Sequence, residues 1–180
     1  MSAKVYILLF RGVGGATQLP TKPLAKALTE AGFVNVGTYI NSGNAYLKTG
    51  LARDRMLAKV AAICAEKFGF RKAIYAPGHA EWRKVVGGNP FQGKVAEGRF
   101  LHAAWLETPP KPENIAALKA LAVDGEGVEV VGHVAYLHTP GGLGKSRLGL
   151  KFDKGLGVPN TARNWNTVLK LLDLAEAAAR

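Results

Sequence analysis

The segment Lys4–Phe10 (KVYILLF) restricts the fold more than any other stretch of this chain. After its lysine come six apolar residues in an unbroken row, with no polar side to turn toward water. Such a run reads as a central strand covered on both faces. The row is too short to cross a membrane, and no small-residue cleavage pattern follows it. A cytoplasmic protein is therefore expected.

A glycine-rich loop follows at residues 11–20. Thr21 is placed to cap a helix, and Pro23 falls in its first turn. Leu24, Ala27, Leu28 and Ala31 recur at helical spacing before Gly32 ends the element. Residues 35–40 and 45–48 read as short strands. Asn41-Ser42-Gly43-Asn44 between them is turn chemistry that makes a hairpin. A second helix is expected over 51–68, with Met56, Val60 and Cys64 among its apolar positions. A strand at 72–76 is stopped by Pro77 and Gly78. The order β-α-β-β-α-β is the ferredoxin-like split arrangement, helices covering a four-stranded antiparallel sheet.

The rest of the chain partly echoes this order. A short helix at 81–86 and a linker at 87–91 lead to a strand at 100–107. A proline-rich break, a helix at 113–121 and strands at 128–131 and 134–138 come next. A glycine-rich loop at 140–144, a short helix at 146–152 and a long helix at 162–179 complete it. This second half reads β-α-β-β-α-α, the first pattern without its last strand. The expectation is an α+β protein of two packed subdomains, 1–78 and 99–180, joined by a connecting segment at 79–98.

Charge narrows the partners. The net charge is +11, and residues 1–99 hold 15 basic groups against 5 acidic ones. The later residues are nearly balanced, yet within 139–172 six basic residues meet one acid, Asp153. Such an excess attracts polyanions, although lysines on solvated helix faces give the same count. The single cysteine, Cys64, excludes an intrachain disulfide framework and a Cys-based zinc site, and its apolar surroundings read as those of a buried thiol. No two of the four histidines have metal-ligand spacing on one helix face, and no motif calls for a metal or a cofactor.

Two glycine-rich loops carry the chemistry that remains. Arg11-Gly12-Val13-Gly14-Gly15 follows the first strand directly. Its amides could close on a phosphate with Arg11 as a bidentate donor, or the glycines could simply serve a turn that needs positive φ. The dinucleotide spacing G-x-G-x-x-G is absent. Gly144-Lys145-Ser146 imitates the end of a P-loop, but Thr139 stands where its first glycine belongs and no strand ending in a magnesium-binding Asp follows. A plain anion site at a helix start, reached by Lys145 and Arg147, fits better. Asn160 or Thr161 can cap the last helix. Arg163, Asn164 and Trp165 are then left in its first turn, where the first two are costly to bury unless paired.

Taken together, these motifs resemble those of an uncharacterised bacterial family, catalogued as domain of unknown function 1697. The resemblance covers nearly the whole chain. Its most specific parts are Tyr39-Ile40-Asn41-Ser42-Gly43-Asn44 and Arg163-Asn164-Trp165-Asn166-Thr167-Val168, supported by Asn89-Pro90-Phe91 and Pro140 to Ser146. Two features depart from the pattern. The first loop is shorter and lacks an asparagine, and Arg147 stands where the family usually has lysine, which keeps the charge but changes its geometry. The resemblance implies an α+β fold of two subdomains and no established activity.

Three functional expectations follow. The first is a binding module for a phosphate-bearing partner, nucleic acid or nucleotide, using Arg11, Gly14, Gly15, Lys145, Arg147 and Arg163. Tyr6, Tyr39, Tyr46 and Tyr75 give one aromatic to each strand of the first half. Base-stacking faces of RNA binders do the same, and so does ordinary core packing. The second is an enzyme acting on a small anionic substrate between the halves, with Asn41, Ser42, Asn44, Lys145, Ser146, Arg163 and Asn164. The third is that these residues, Trp165 included, are turns, caps and hydrogen-bond networks that hold the fold.

Overall fold

The computed structural model describes residues 3–180. The chain divides into two compact units, Met1–Arg83 with Leu171–Arg180, and Lys84–Lys170.

In the first unit the elements are β1 (Lys4–Phe10), α1 (Thr21–Glu30), β2 (Val34–Thr38), β3 (Asn44–Thr49), α2 (Arg53–Phe68) and β4 (Ile74–Tyr75), followed by α3 (His79–Gly87). The sheet order is β2-β3-β1-β4, all antiparallel, as the ferredoxin-like pattern requires. β1 is central. Tyr6, Leu8 and Phe10 enter the core formed with α1 and α2, and Val5, Ile7 and Leu9 are buried on the opposite face. That two-sided burial explains the unbroken apolar row.

Local chemistry sets the helix ends. α2 presents Met56, Val60 and Cys64 to the core at helical spacing. It stops at Gly69, whose φ of 64° lets Gly69 N–H reach Ala65 O and Phe70 N–H reach Cys64 O. α1 is entered through Pro20, and Thr21 is its first helical residue and not the expected cap. The fixed φ of proline supplies the entry, and no side-chain cap bond forms. The side chains of Asn35 and Lys48 donate to Ala178 O and Ala179 O, at 2.8 and 3.1 Å.

The second unit contains β5 (Leu101–Leu106), α4 (Pro112–Lys119), β6 (Gly127–Val131), β7 (Val134–His138), α5 (Arg147–Gly155) and β8 (Asn160–Asn164), and α6 (Trp165–Ala179) begins in it. Its sheet order is β6-β7-β5-β8, the same topology as the first. The expected β-α-β-β-α-α order is thus corrected by one element. Residues 160–164 form a strand against β5, from Leu106↔Asn160 to His102↔Asn164, and neither Asn160 nor Thr161 is a helix cap. The core joins Ala104, Leu106, Ala135 and Leu137 of the sheet to Leu118 of α4 and Leu148, Phe152 and Leu156 of α5 and its end.

The tyrosines do not form one stacking face. Tyr6 belongs to the helix-side core, Tyr75 is buried, Tyr39 lies beyond the end of β2, and Tyr46 is half-buried. Burial of Ile7 and Leu9 closes the centre of the sheet's other face to a base.

Candidate functional site

Arg11, Gly14 and Gly15 lie in the loop leaving β1. Gly14 and Gly15 adopt φ of 134° and 57°, so the glycines serve the turn itself. Gly14 and Thr17 exchange backbone hydrogen bonds of 2.8 and 3.0 Å. Gln18 Nε2 donates to Gly15 O at 2.6 Å, and Lys72 Nζ donates to Gly12 O and Thr17 Oγ1 at 3.0 Å each. The β2–β3 turn rests against this loop, with Phe10 N–H donating to Gly43 O at 2.9 Å. Asn44 is buried, and its Nδ2 donates to Tyr39 O and Ser42 Oγ at 3.2 Å each. Asn41 and Ser42 are exposed. The structure therefore brings the two first-half motifs together at one end of the sheet, knitted by their own hydrogen bonds.

The second-half motifs also share one end of a sheet. β7 runs straight into the 139–146 loop, and Leu101↔His138 and His102↔Asn164 pair beside it. Ser146 is buried and caps α5, its Oγ accepting from Gly149 N–H at 2.9 Å. Asn164 caps α6, its Oδ1 accepting from Thr167 N–H at 3.0 Å. Arg163 is buried, and one guanidinium nitrogen donates to Thr161 Oγ1 and Ala162 O, both at 2.8 Å. Burial brings its pKa down to about 10. The Trp165 ring packs 6.4 Å from that of Tyr136. Lys145 and Arg147 are exposed.

Arg147 opens onto a feature not foreseen from the sequence. α4 and α5 cross so closely at Gly155 that a Cβ there would stand 2.5 Å from Leu118 Cδ2. Beside this crossing a cleft of about 490 Å³ opens. Arg147, Lys151 and Lys154 of α5 line one wall, spaced i, i+4 and i+7 on one helix face. Asn114, Ala117 and Leu121 of α4 line the other. No carboxylate is among the lining residues, and none of the three cations has an ion pair among the described residues. Asp153 is held elsewhere, its Oδ1 accepting from Asn160 Nδ2 at 3.0 Å. Helical spacing of Arg147, Lys151 and Lys154 was the available sequence signal for the wall, whereas Asn114 gave none.

Cys64 is fully buried, and burial pushes its thiol up to about 11, which removes it from consideration as a nucleophile. Among the described residues no helix is long and apolar enough to cross a membrane.

The geometry defines an α+β protein of two ferredoxin-like units, the second with a cleft between α4 and α5 lined by Arg147, Lys151 and Lys154. Residues 3–136 match the model of the family described as Protein of unknown function (DUF1697), and the chain belongs to that family. Among solved structures it is similar to the conserved bacterial protein SP0830 from Streptococcus pneumoniae. The TM-score is 0.73 at 21% identity, covering 97% of this chain and 99% of that one. That likeness bears on the fold alone. A comparison with curated proteins gave no match.

Proposed function

We propose that the protein is a binding module for a phosphate-bearing partner, a nucleotide or nucleic acid, held in the α4–α5 cleft. The observation that carries this reading is the row Arg147, Lys151 and Lys154 lining one wall with no carboxylate in the lining. Unneutralised cations along one wall favour an anion that can meet several of them at once. From Arg147 to Lys154 the helix rises about 10 Å. A regular nucleic-acid strand places a phosphate roughly every 3.4 Å along its axis, so about three fall within that reach. The cleft volume also falls within the range of small-ligand sites, roughly 300–1,000 Å³. Arg147 supplies a planar fork suited to phosphate oxygens, and the two lysines supply compact charge.

The test is fluorescence anisotropy with short single- and double-stranded RNA and DNA and with labelled nucleotides, over a range of salt. Binding should weaken as salt rises. Each of Arg147→Ala, Lys151→Ala and Lys154→Ala should lower the salt slope by about 1 where the cation meets a phosphate. Equal affinity in the triple variant, or no binding to any probe at low salt, would sink the proposal.

A further inference from the structure

A second cleft, of about 460 Å³, lies wholly within the first unit. It shares no residue with the α4–α5 cleft. Lys4 and Tyr6 of β1, Lys48 of β3, Arg53 at the start of α2, and His79 and Glu81 in the first turn of α3 line it. Three cations thus meet one carboxylate. That carboxylate is already engaged, since Glu81 Oε2 accepts from the Arg53 guanidinium and from Gly78 N–H at 2.6 Å. Among the described residues Lys48 donates to Ala179 O alone, and an ammonium carries three donors. Lys4 is exposed and has no ion pair among the described residues. Among the described residues, the side chains that line the cleft carry more positive than negative charge.

Two further groups point to a ligand. Arg53 Nε and His79 Nε2 are both buried, and neither has a hydrogen-bond partner among the described residues. Glu176 Oε1 stands 3.9 Å from the His79 nitrogen and is taken by Arg83 Nε at 3.1 Å. Burial, helped by Arg83 and opposed by Glu176, holds the His79 ring below its ordinary pKa of 6.5, so at neutral pH it offers a neutral donor or acceptor. The Arg53 guanidinium lies 5.8 Å from the centre of the Tyr6 ring, within reach of a cation–π contact. Buried donors of this kind are rarely left unmade in native proteins.

We infer that this cleft is a binding site for a small organic oxyanion, a carboxylate or a phosphate monoester. Lys4 and Lys48 supply the attracting charge, and Arg53 and His79 hydrogen-bond the bound molecule. The inference does not rest on the α4–α5 cleft.

The test maps amide and imidazole NMR shifts of the full chain titrated with benzoate, citrate and inorganic phosphate, each to about 10 mM, a range that captures millimolar affinity. At least one probe should give saturable shifts at Lys4, Tyr6, Arg53, the amides of 78–81 and the His79 ring. Response to benzoate or citrate identifies a carboxylate site, and response to phosphate alone a phosphate site. Lys4→Glu reverses an exposed charge, and Arg53→Lys keeps a cation for Glu81 while deleting the Nε donor. Each should weaken binding about tenfold or more. Arg147→Ala with Lys151→Ala should leave it unchanged. The inference fails if no probe saturates, if both first-unit variants bind as the parent does, or if the second-unit variant abolishes the shifts.

Discussion

Arg163 and Thr161 stand two residues apart on one face of β8, and the guanidinium donates to the Thr161 hydroxyl at 2.8 Å. Both residues are buried, so the bond is made where water cannot replace it. Arg163→Ala should lower unfolding free energy by about 2 kcal/mol, the usual worth of a hydrogen bond to a charged group plus its orphaned partner. Urea denaturation checks this, with an unchanged slope and a lower midpoint. A midpoint equal to that of the parent would count against a structural role for Arg163.

The two buried or half-buried caps make a matched pair. Asn164→Ala removes the acceptor for Thr167 N–H, and Ser146→Ala removes that for Gly149 N–H. Each should cost about 1 kcal/mol, and Asn164→Asp or Ser146→Thr should recover most of it. Thermal melting of the four variants measures this. Equal losses in the alanine and the replacement variants would mean that capping is not what these side chains contribute.

Gly43 is constrained twice. Its φ is 80°, and a Cβ would stand 2.8 Å from Val13 Cγ2 and 2.9 Å from Phe10 O. Gly43→Ala should therefore destabilise the first unit by about 2 kcal/mol or more, through strain and overlap together. Gly69→Ala has the same sign of φ but open space around its Cβ, and should cost less, about 1 kcal/mol. Comparison of the two by urea denaturation isolates the steric part. A smaller loss at Gly43 than at Gly69 would overturn the packing described for the two loops.

His102 makes stability depend on pH. Its Nδ1 is buried without a hydrogen-bond partner among the described residues, and burial lowers its pKa from 6.5. Around that pH the unfolded chain takes up a proton that the folded chain still refuses. Stability from this residue is therefore lost as pH falls below about 6.5. His79, lowered chiefly by burial, acts in the same direction. The urea midpoint should fall between pH 7.5 and pH 5, and His102→Gln should flatten the fall. An equally steep fall in that variant would exclude His102 as a cause.

Much of the architecture was legible where burial is recorded in residue type. The apolar row of β1, the helical spacing of α2 and the 41–44 turn all read directly, because one neighbour-independent rule governs each. β8 did not. Asn160–Asn164 (NTARN) has low strand propensity and no apolar alternation, and it is a strand because β5 offers it an edge. Arg163 and Asn164 looked like residues of a helix start for the same reason. Tyr6 could not be assigned a face, since both faces of β1 are apolar. Among the proposed site residues, Arg147 could be named from charge. The cleft it lines depends on Gly155 letting α4 approach, which a string of residues does not display.

The last ten residues of the chain belong to the unit that its first residues begin. During synthesis, then, the ribosome releases everything the second unit needs before the first is complete. The side chains of Asn35 and Lys48 in the first unit meet their carbonyl partners only after Ala178 and Ala179 have been made. In such a chain the unit begun first is completed after the second, and removing residues 171–180 takes material from the unit that residues 1–83 begin.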